Sequence, residues 1–279
     1  MEPDIDTTKM NAADHAALMA AVQRLEHIGP ALRIANAVGR KVNFLKTLAP
    51  EKAAKIVDGA TMAAMKIALR AALASLYGKP VRDRDRAHKL LAAASGAAGG
   101  ALGLASLPFE LPVTTTVMLR SIADIARAEG EDLTDPESAM ACLEVFALDG
   151  REPTDNISES GYFAVRGLLA RSISEAARYI ASRGVVDETA PALVKLLAQI
   201  GARFGFVVSQ KFLAQATPAL GAVGGAAINL AFIDHFQSLA KGHFTVRRLE
   251  RKYGPVHVRS EYERIAAARE PDEIQPPAA

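Results

Sequence analysis

Three groupings of side chains have types and spacings that chemistry could use. Arg120, Asp124 and Arg127 recur at helical intervals, which puts them on one face of a helix. Two guanidinium forks steadied by a carboxylate can hold an anionic group. The plainer reading is a solvated face with modest ion pairs. Asn229, Asp234 and His235 interrupt an otherwise apolar run. An acid beside a histidine can do acid–base or ligand chemistry, and the plainer reading is a satisfied structural cluster. On a helical wheel Asp234 shares a side with Leu220, Val223, Ala227 and Leu230. If that side is buried, the carboxylate needs a partner, because an unpaired buried charge is very costly. Finally, Arg247, Arg248, Arg251 and Lys252 are interleaved with Phe244, Leu249 and Tyr253. Such cations suit the C-terminal dipole of a helix, or they form a patch for anionic lipid.

Several chemistries find no support. The six histidines, at 15, 27, 88, 235, 243 and 257, make no H-E-x-x-H or H-x-H pair, so no metal site is expected. Phosphate-loop, dinucleotide-binding and nucleophile-elbow motifs are absent, and no cofactor is expected. Thr114, Thr115 and Thr116 have no base paired with them in sequence. Cys142 is the single cysteine, which excludes an intrachain disulfide framework. Its apolar helical setting reads as a small buried hydrophobe rather than a nucleophile. These absences weigh against an enzyme without excluding one built from scattered residues.

The elements that must carry these groups are almost all helices. Of the 279 residues 55 are alanine, aromatics make up 5% and Trp is absent. Alanine is the strongest helix former, whereas strands favour β-branched and aromatic side chains. Breakers at Gly29-Pro30, Ala49-Pro50, Gly130 and Asp149-Gly150 cut the chain into predicted helices over about 12–28, 31–48, 51–76 and 82–107. Further ones follow over about 112–129, 136–149, 162–182, 188–215, 218–253 and 256–269. Pro112 is expected in a first helical turn, and Asp135 as N-cap ahead of Pro136. In the helix after Pro112, Leu111, Met118, Ile122 and Ile125 form the apolar face. The fold class read from this is all-α, a single multi-helix bundle of about eight to ten helices with Gly-rich helical hairpins. Residues 1–10 read as a disordered leader, 11–270 as one helical domain and 271–279 as a disordered tail.

Two stretches stand out. Residues 90–109 and 212–233 carry no charge and reach the length of a membrane span. Their Ala, Gly and Ser content makes insertion marginal. Gly96, Gly99, Gly100 and Gly103 in the first, and Gly221, Gly224 and Gly225 in the second, have small-xxx-small spacing, as do Gly201 and Gly205. Mid-helix glycine costs about 1 kcal/mol against alanine, so its repetition points to closely approaching helices in lipid or in a bundle. The charge balance of 33 basic and 31 acidic residues carries no footprint of nucleic-acid binding. The polar N-terminus lacks the marks of a signal peptide, which predicts a cytoplasmic protein.

The segment Leu111-Pro-Val-Thr-Thr-Thr-Val-Met-Leu-Arg-Ser-Ile-Ala-Asp-Ile-Ala-Arg-Ala-Glu-Gly-Glu-Asp-Leu133, followed by Cys142-Leu-Glu-Val-Phe-Ala-Leu148, resembles the EcsC family. So do Pro218-Ala-Leu-Gly-Ala-Val-Gly-Gly-Ala-Ala-Ile-Asn229 and Arg248-Leu-Glu-Arg-Lys-Tyr-Gly254. The resemblance covers about residues 50–255. It implies a helical bacterial protein linked to membrane or transport processes, and it brings no catalytic residues. The expected function is therefore non-enzymatic: peripheral association with the inner membrane or a membrane complex, with lipid as ligand. In this reading Arg247, Arg248, Arg251 and Lys252 face the membrane. The candidate ligand residues are Arg120, Asp124, Arg127, Asn229, Asp234 and His235. The alternative is a hydrolase or other enzyme around Asp124 or Asp234 and His235.

Overall fold

Asp135 opens a helix as its place before Pro136 requires. Its carboxylate accepts from the Ser138 amide at 2.9 Å, relieving one of the unpaired donors of the first turn. The structure, a computed structural model, describes residues 10–26, 50–75, 107–148, 161–182, 187, 189–215 and 221–268. Among them are eight α-helices: α1 (Ala12–Glu26), α2 (Pro50–Ser75), α3 (Leu107–Ala128), α4 (Pro136–Glu144), α5 (Gly161–Ser182), α6 (Pro191–Gln215), α7 (Gly221–Tyr253) and α8 (Pro255–Ala267). A 3₁₀ turn, Val145–Ala147, extends α4. No strand occurs among the described residues, and the fold is the all-α bundle expected. The helices expected over 31–48 and 82–107, the leader, the tail and Gly96, Gly99, Gly100 and Gly103 lie outside the described residues, apart from Met10 and Leu107.

One boundary differs from expectation. α3 begins at Leu107, so Pro108 takes the first-turn position and Pro112 lies inside the helix. A proline there cannot donate to the carbonyl one turn back. The turn is kept by burial: Leu111 is fully buried directly before Pro112, with Met118 and Ile122 on the same side.

The helices take their directions from their contacts. α3 and α7 run parallel at a constant offset. Gln237 donates to Ser121 Oγ at 2.7 Å, Thr245 to Glu129 at 3.2 Å and Arg247 to Glu131 at 2.9 Å, each pair 116 residues apart. Phe204 of α6, 11 residues before Gln215, meets Phe232 of α7, 11 residues after Gly221, at 6.1 Å between ring centroids. Equal distances from one short connection make α6 and α7 antiparallel. α2 is antiparallel to α6, since Gly201 faces Met62 and Met65 while Gly205 faces Thr61. The Gly201–Gly205 pair thus packs helix on helix as its spacing suggests. α2, α3 and α7 therefore begin at the end of the bundle where α6 finishes, and α3 and α7 finish together at the other.

Phe146, Phe204, Phe232 and Phe236 fill the centre with edge-on and tilted contacts, geometries that favour aromatic pairs. α1 lies across the second half of α7 and touches α8. Gly242 permits this approach, because a Cβ there would sit 2.7 Å from Leu25 Cγ and 3.2 Å from the Ala21 carbonyl oxygen.

Candidate functional site

The parallel register of α3 and α7 brings two acids after the end of α3 beneath the basic end of α7. Arg247 is bidentate to Glu131, at 2.9 and 3.1 Å, and Arg251 also bonds that carboxylate. Arg251 donates a second bond to the Glu129 carbonyl at 2.7 Å, while Arg248 reaches the Glu129 carboxylate at 2.7 Å. Gly130 between the two acids has φ +82°, a conformation that glycine adopts without strain. Burial pushes Glu131 upward, but Arg247, Ser138 and Arg251 outweigh it and leave the carboxyl below its usual range.

α1 adds a third acid. Asp14 accepts from Arg248 at 3.1 Å, from Lys252 at 2.7 Å and from Tyr253 Oη at 2.8 Å. Asn11 caps the same turn, taking the Asp14 amide on Oδ1 at 2.8 Å and donating to its carboxylate at 3.0 Å. Lys252, ahead of Tyr253 and Arg248, holds the Asp14 carboxyl far below the usual carboxylate range. Arg247, Arg248, Arg251 and Lys252 therefore all have partners within the chain.

A second polar cluster is sealed inside. Tyr162 of α5 meets His243 Nδ1 of α7 through its hydroxyl at 3.0 Å. His243 Nε2 lies 3.7 Å from Glu144 Oε2 at the end of α4. All three side chains are buried. Burial pushes the Glu144 carboxyl up to about 7, raises the Tyr162 phenol and lowers the His243 imidazole well below its usual value. The Tyr162 phenol and the His243 imidazole are thus held neutral, as a low-dielectric setting demands. Arg166 closes the outer side, bidentate to Glu250 at 2.7 and 3.1 Å and 5.4 Å over the Tyr162 ring. Cys142 is buried nearby, its thiol pushed up to about 12 by burial, as the packing role predicts.

The six candidate ligand residues do not gather into one site. Arg120 points to solvent, and Asp124, half-buried, accepts from Arg127 at 3.1 Å. Asp124 is therefore bonded to the residue three ahead rather than four behind. Asn229 is fully buried and His235 is buried, its ring 5.3 Å from that of Phe236. Asp234 is exposed, together with Ala227. The position expected to be interior thus faces outward. Among the described residues, no group of three His, Cys, Asp or Glu side chains could hold a metal ion.

Asp14, Glu129, Glu131, Glu144, Tyr162 and Arg166 are the side chains that sequence reasoning missed. Glu144 carried a signal: it is the one charge within Ala139–Leu148, a segment too apolar to be a solvated face. Asp14 carried none, since the cations it meets lie more than 230 residues away.

Apolar side chains are exposed at both ends of the bundle: Val194 and Val256 lie at the basic end, and α3 carries two at the other. Phe109 is 78% exposed and Val113 49% on one stripe of α3. Phe206, in the second half of α6, and Ile56, in the first turns of α2, are exposed as well. Among the described residues one stretch, Pro191–Ser209 of α6, is long and apolar enough to cross a membrane; it starts at the basic end, and 44% of it is buried within the bundle.

A family model described as the EcsC protein family matches residues 36–249. No curated protein and no solved structure matches the chain. α1 and α8 lie outside the matched region.

Proposed function

The chain belongs to the EcsC protein family, and on that footing we propose that it is a non-enzymatic cytoplasmic protein that associates peripherally with a membrane. The apolar end of its bundle, where α3 and α7 begin, is the part that meets the bilayer. The observation that carries this reading is the exposed Phe109–Val113 stripe of α3. Clustered exposed apolar side chains mark interaction surfaces. On an amphipathic helix they bury about 5–10 Å into the headgroup boundary.

Two further facts support this orientation. Arg120 is exposed and has no ion-pair partner among the described residues. It lies seven residues beyond Val113, about 10 Å along the helix, which suits a headgroup when Phe109 and Val113 are inserted. The four cations ending α7 lie far away, since α7 has 33 residues and is about 50 Å long. An upright molecule cannot place both ends on one bilayer, and those cations are already paired. The rival reading, an enzyme around Asp124 or Asp234 and His235, draws less support, because Asp234 faces solvent and His235 the core.

Co-sedimentation with phospholipid vesicles tests the proposal. Wild type is expected in the pellet, and replacing Phe109 and Val113 together with Ser should lower partitioning roughly 30- to 150-fold, from about 2–3 kcal/mol of lost burial. Wild type remaining in the supernatant, or the double variant pelleting equally well, would overturn it.

A further inference from the structure

We propose that Arg248, Lys252 and Tyr253 form a binding site for a phosphate group, which Asp14 of α1 fills from within the chain. These side chains lie on the last turns of α7 and converge on one carboxylate. Arg248 bonds Oδ1, and Lys252 and Tyr253 bond Oδ2. Two cations and a phenol around a small anion are the donor set that phosphate oxygens select. The place is open to approach from outside, since Lys252 is about half exposed and Arg248 about a third.

The charges at this end favour an exchange of anions. Arg247, Arg248, Arg251 and Lys252 face Glu129, Glu131 and Asp14. With Asp14 in place one positive charge is left over, and without it two. Glu131 is committed to Arg247 and Arg251, while Glu129 already holds one side of the Arg248 guanidinium and leaves the other to Asp14. The C-terminal dipole of α7 disfavours an anion here, so the charged side chains must supply the attraction. α1, which carries Asp14, lies outside the family match. The internal anion is therefore supplied by a segment beyond that region, laid over the end of α7. A phosphate-bearing ligand would compete with Asp14 and loosen the first turn of α1.

The test uses full-length wild type, Asp14→Asn and Asp14→Asn with Lys252→Gln, melted in inorganic phosphate or in chloride at matched ionic strength. Phosphate should raise the Tm of Asp14→Asn and leave wild type nearly unmoved. Adding Lys252→Gln should weaken the phosphate response about tenfold, the size of one lost charge-assisted hydrogen bond. If Asp14→Asn does not fold in chloride, recovery of its helical circular dichroism in phosphate supports the site, and no recovery overturns it. A folded Asp14→Asn indifferent to phosphate, or a response that survives Lys252→Gln, also overturns it and leaves Asp14 a structural latch. Vesicles of phosphatidylglycerol and of phosphatidylcholine then identify the source of the phosphate. New Lys252-dependent binding to the anionic vesicles assigns a lipid headgroup. A phosphate response without vesicle binding assigns a soluble ligand. Because the variants keep Phe109 and Val113, binding to neutral vesicles reads the apolar end separately.

Discussion

Replacing Gly242 with Ala should destabilise the protein, although alanine is the better helix former. The new Cβ would lie 2.7 Å from Leu25 Cγ, 3.1 Å from Leu25 Cδ2 and 3.2 Å from the Ala21 carbonyl oxygen. Leu25 can turn only at the cost of its packing, and the Ala21 oxygen belongs to the backbone of α1. Overpacking of this kind costs about 1–3 kcal/mol, against a gain of about 1 kcal/mol in helix propensity. The net expectation is a loss of about 1 kcal/mol, a fall of roughly 2–4 °C in Tm for a chain near this size. Gly59 in α2 and Gly167 in α5 are matched controls. A Cβ at either meets nothing within 4 Å, so Ala there should stabilise by about 0.5–1 kcal/mol. Thermal melts followed by circular dichroism measure all three variants side by side. Gly242→Ala as stable as Gly59→Ala would refute the claim that α1 is seated on α7 through this glycine.

Glu144 makes a pH prediction. Its folded pKa is raised from 4.5 to about 7, so its favourable contribution is complete below about 4.5 and is lost as pH rises to about 7. Glu144→Gln should therefore gain on wild type across that window, by about 3 kcal/mol in all. Denaturant unfolding at several pH values reads this, and a pH-independent difference would contradict it. His243, whose folded pKa is lowered, acts in the opposite sense, with stability complete above about 6.5 and lost below. Glu144→Gln should accordingly become less stable as pH falls below 6.5, with no opposing slope from Glu144. Asp234→Ala should change stability by no more than about 1 kcal/mol, as expected where a charge is exposed; a loss of several kcal/mol would show the side chain to be buried.

Local chemistry was the legible part of the fold. Asp135 before Pro136 predicts its own cap, and the apolar spacing of Leu111, Met118 and Ile122 marks the buried side of α3. Gly201 and Gly205 mark a helix contact without saying that α2 would fill it. The misplaced features depend on partners remote in sequence. Pro112 reads as a helix start, because its tolerance inside α3 comes from burial on neighbouring helices. Asp234 reads as interior because its companions Ala227 and Leu230 are apolar, yet a wheel has no means of saying which side faces water. The basic run at 247–252 reads as free charge, because Glu129 and Glu131 lie on another element and Asp14 on the first helix.

The orientation of the bound molecule tests the central claim most directly. Cys142 is buried, so single cysteines introduced at Val113 and at Val256, which is 82% exposed at the other end, can each be labelled with a fluorophore in the full-length chain. Bound to vesicles that carry quenchers at known depths in the bilayer, the label at 113 should be quenched from within the acyl boundary. The label at 256 should behave as in water. Equal quenching of both, or stronger quenching at 256, would contradict a membrane contact through the apolar end.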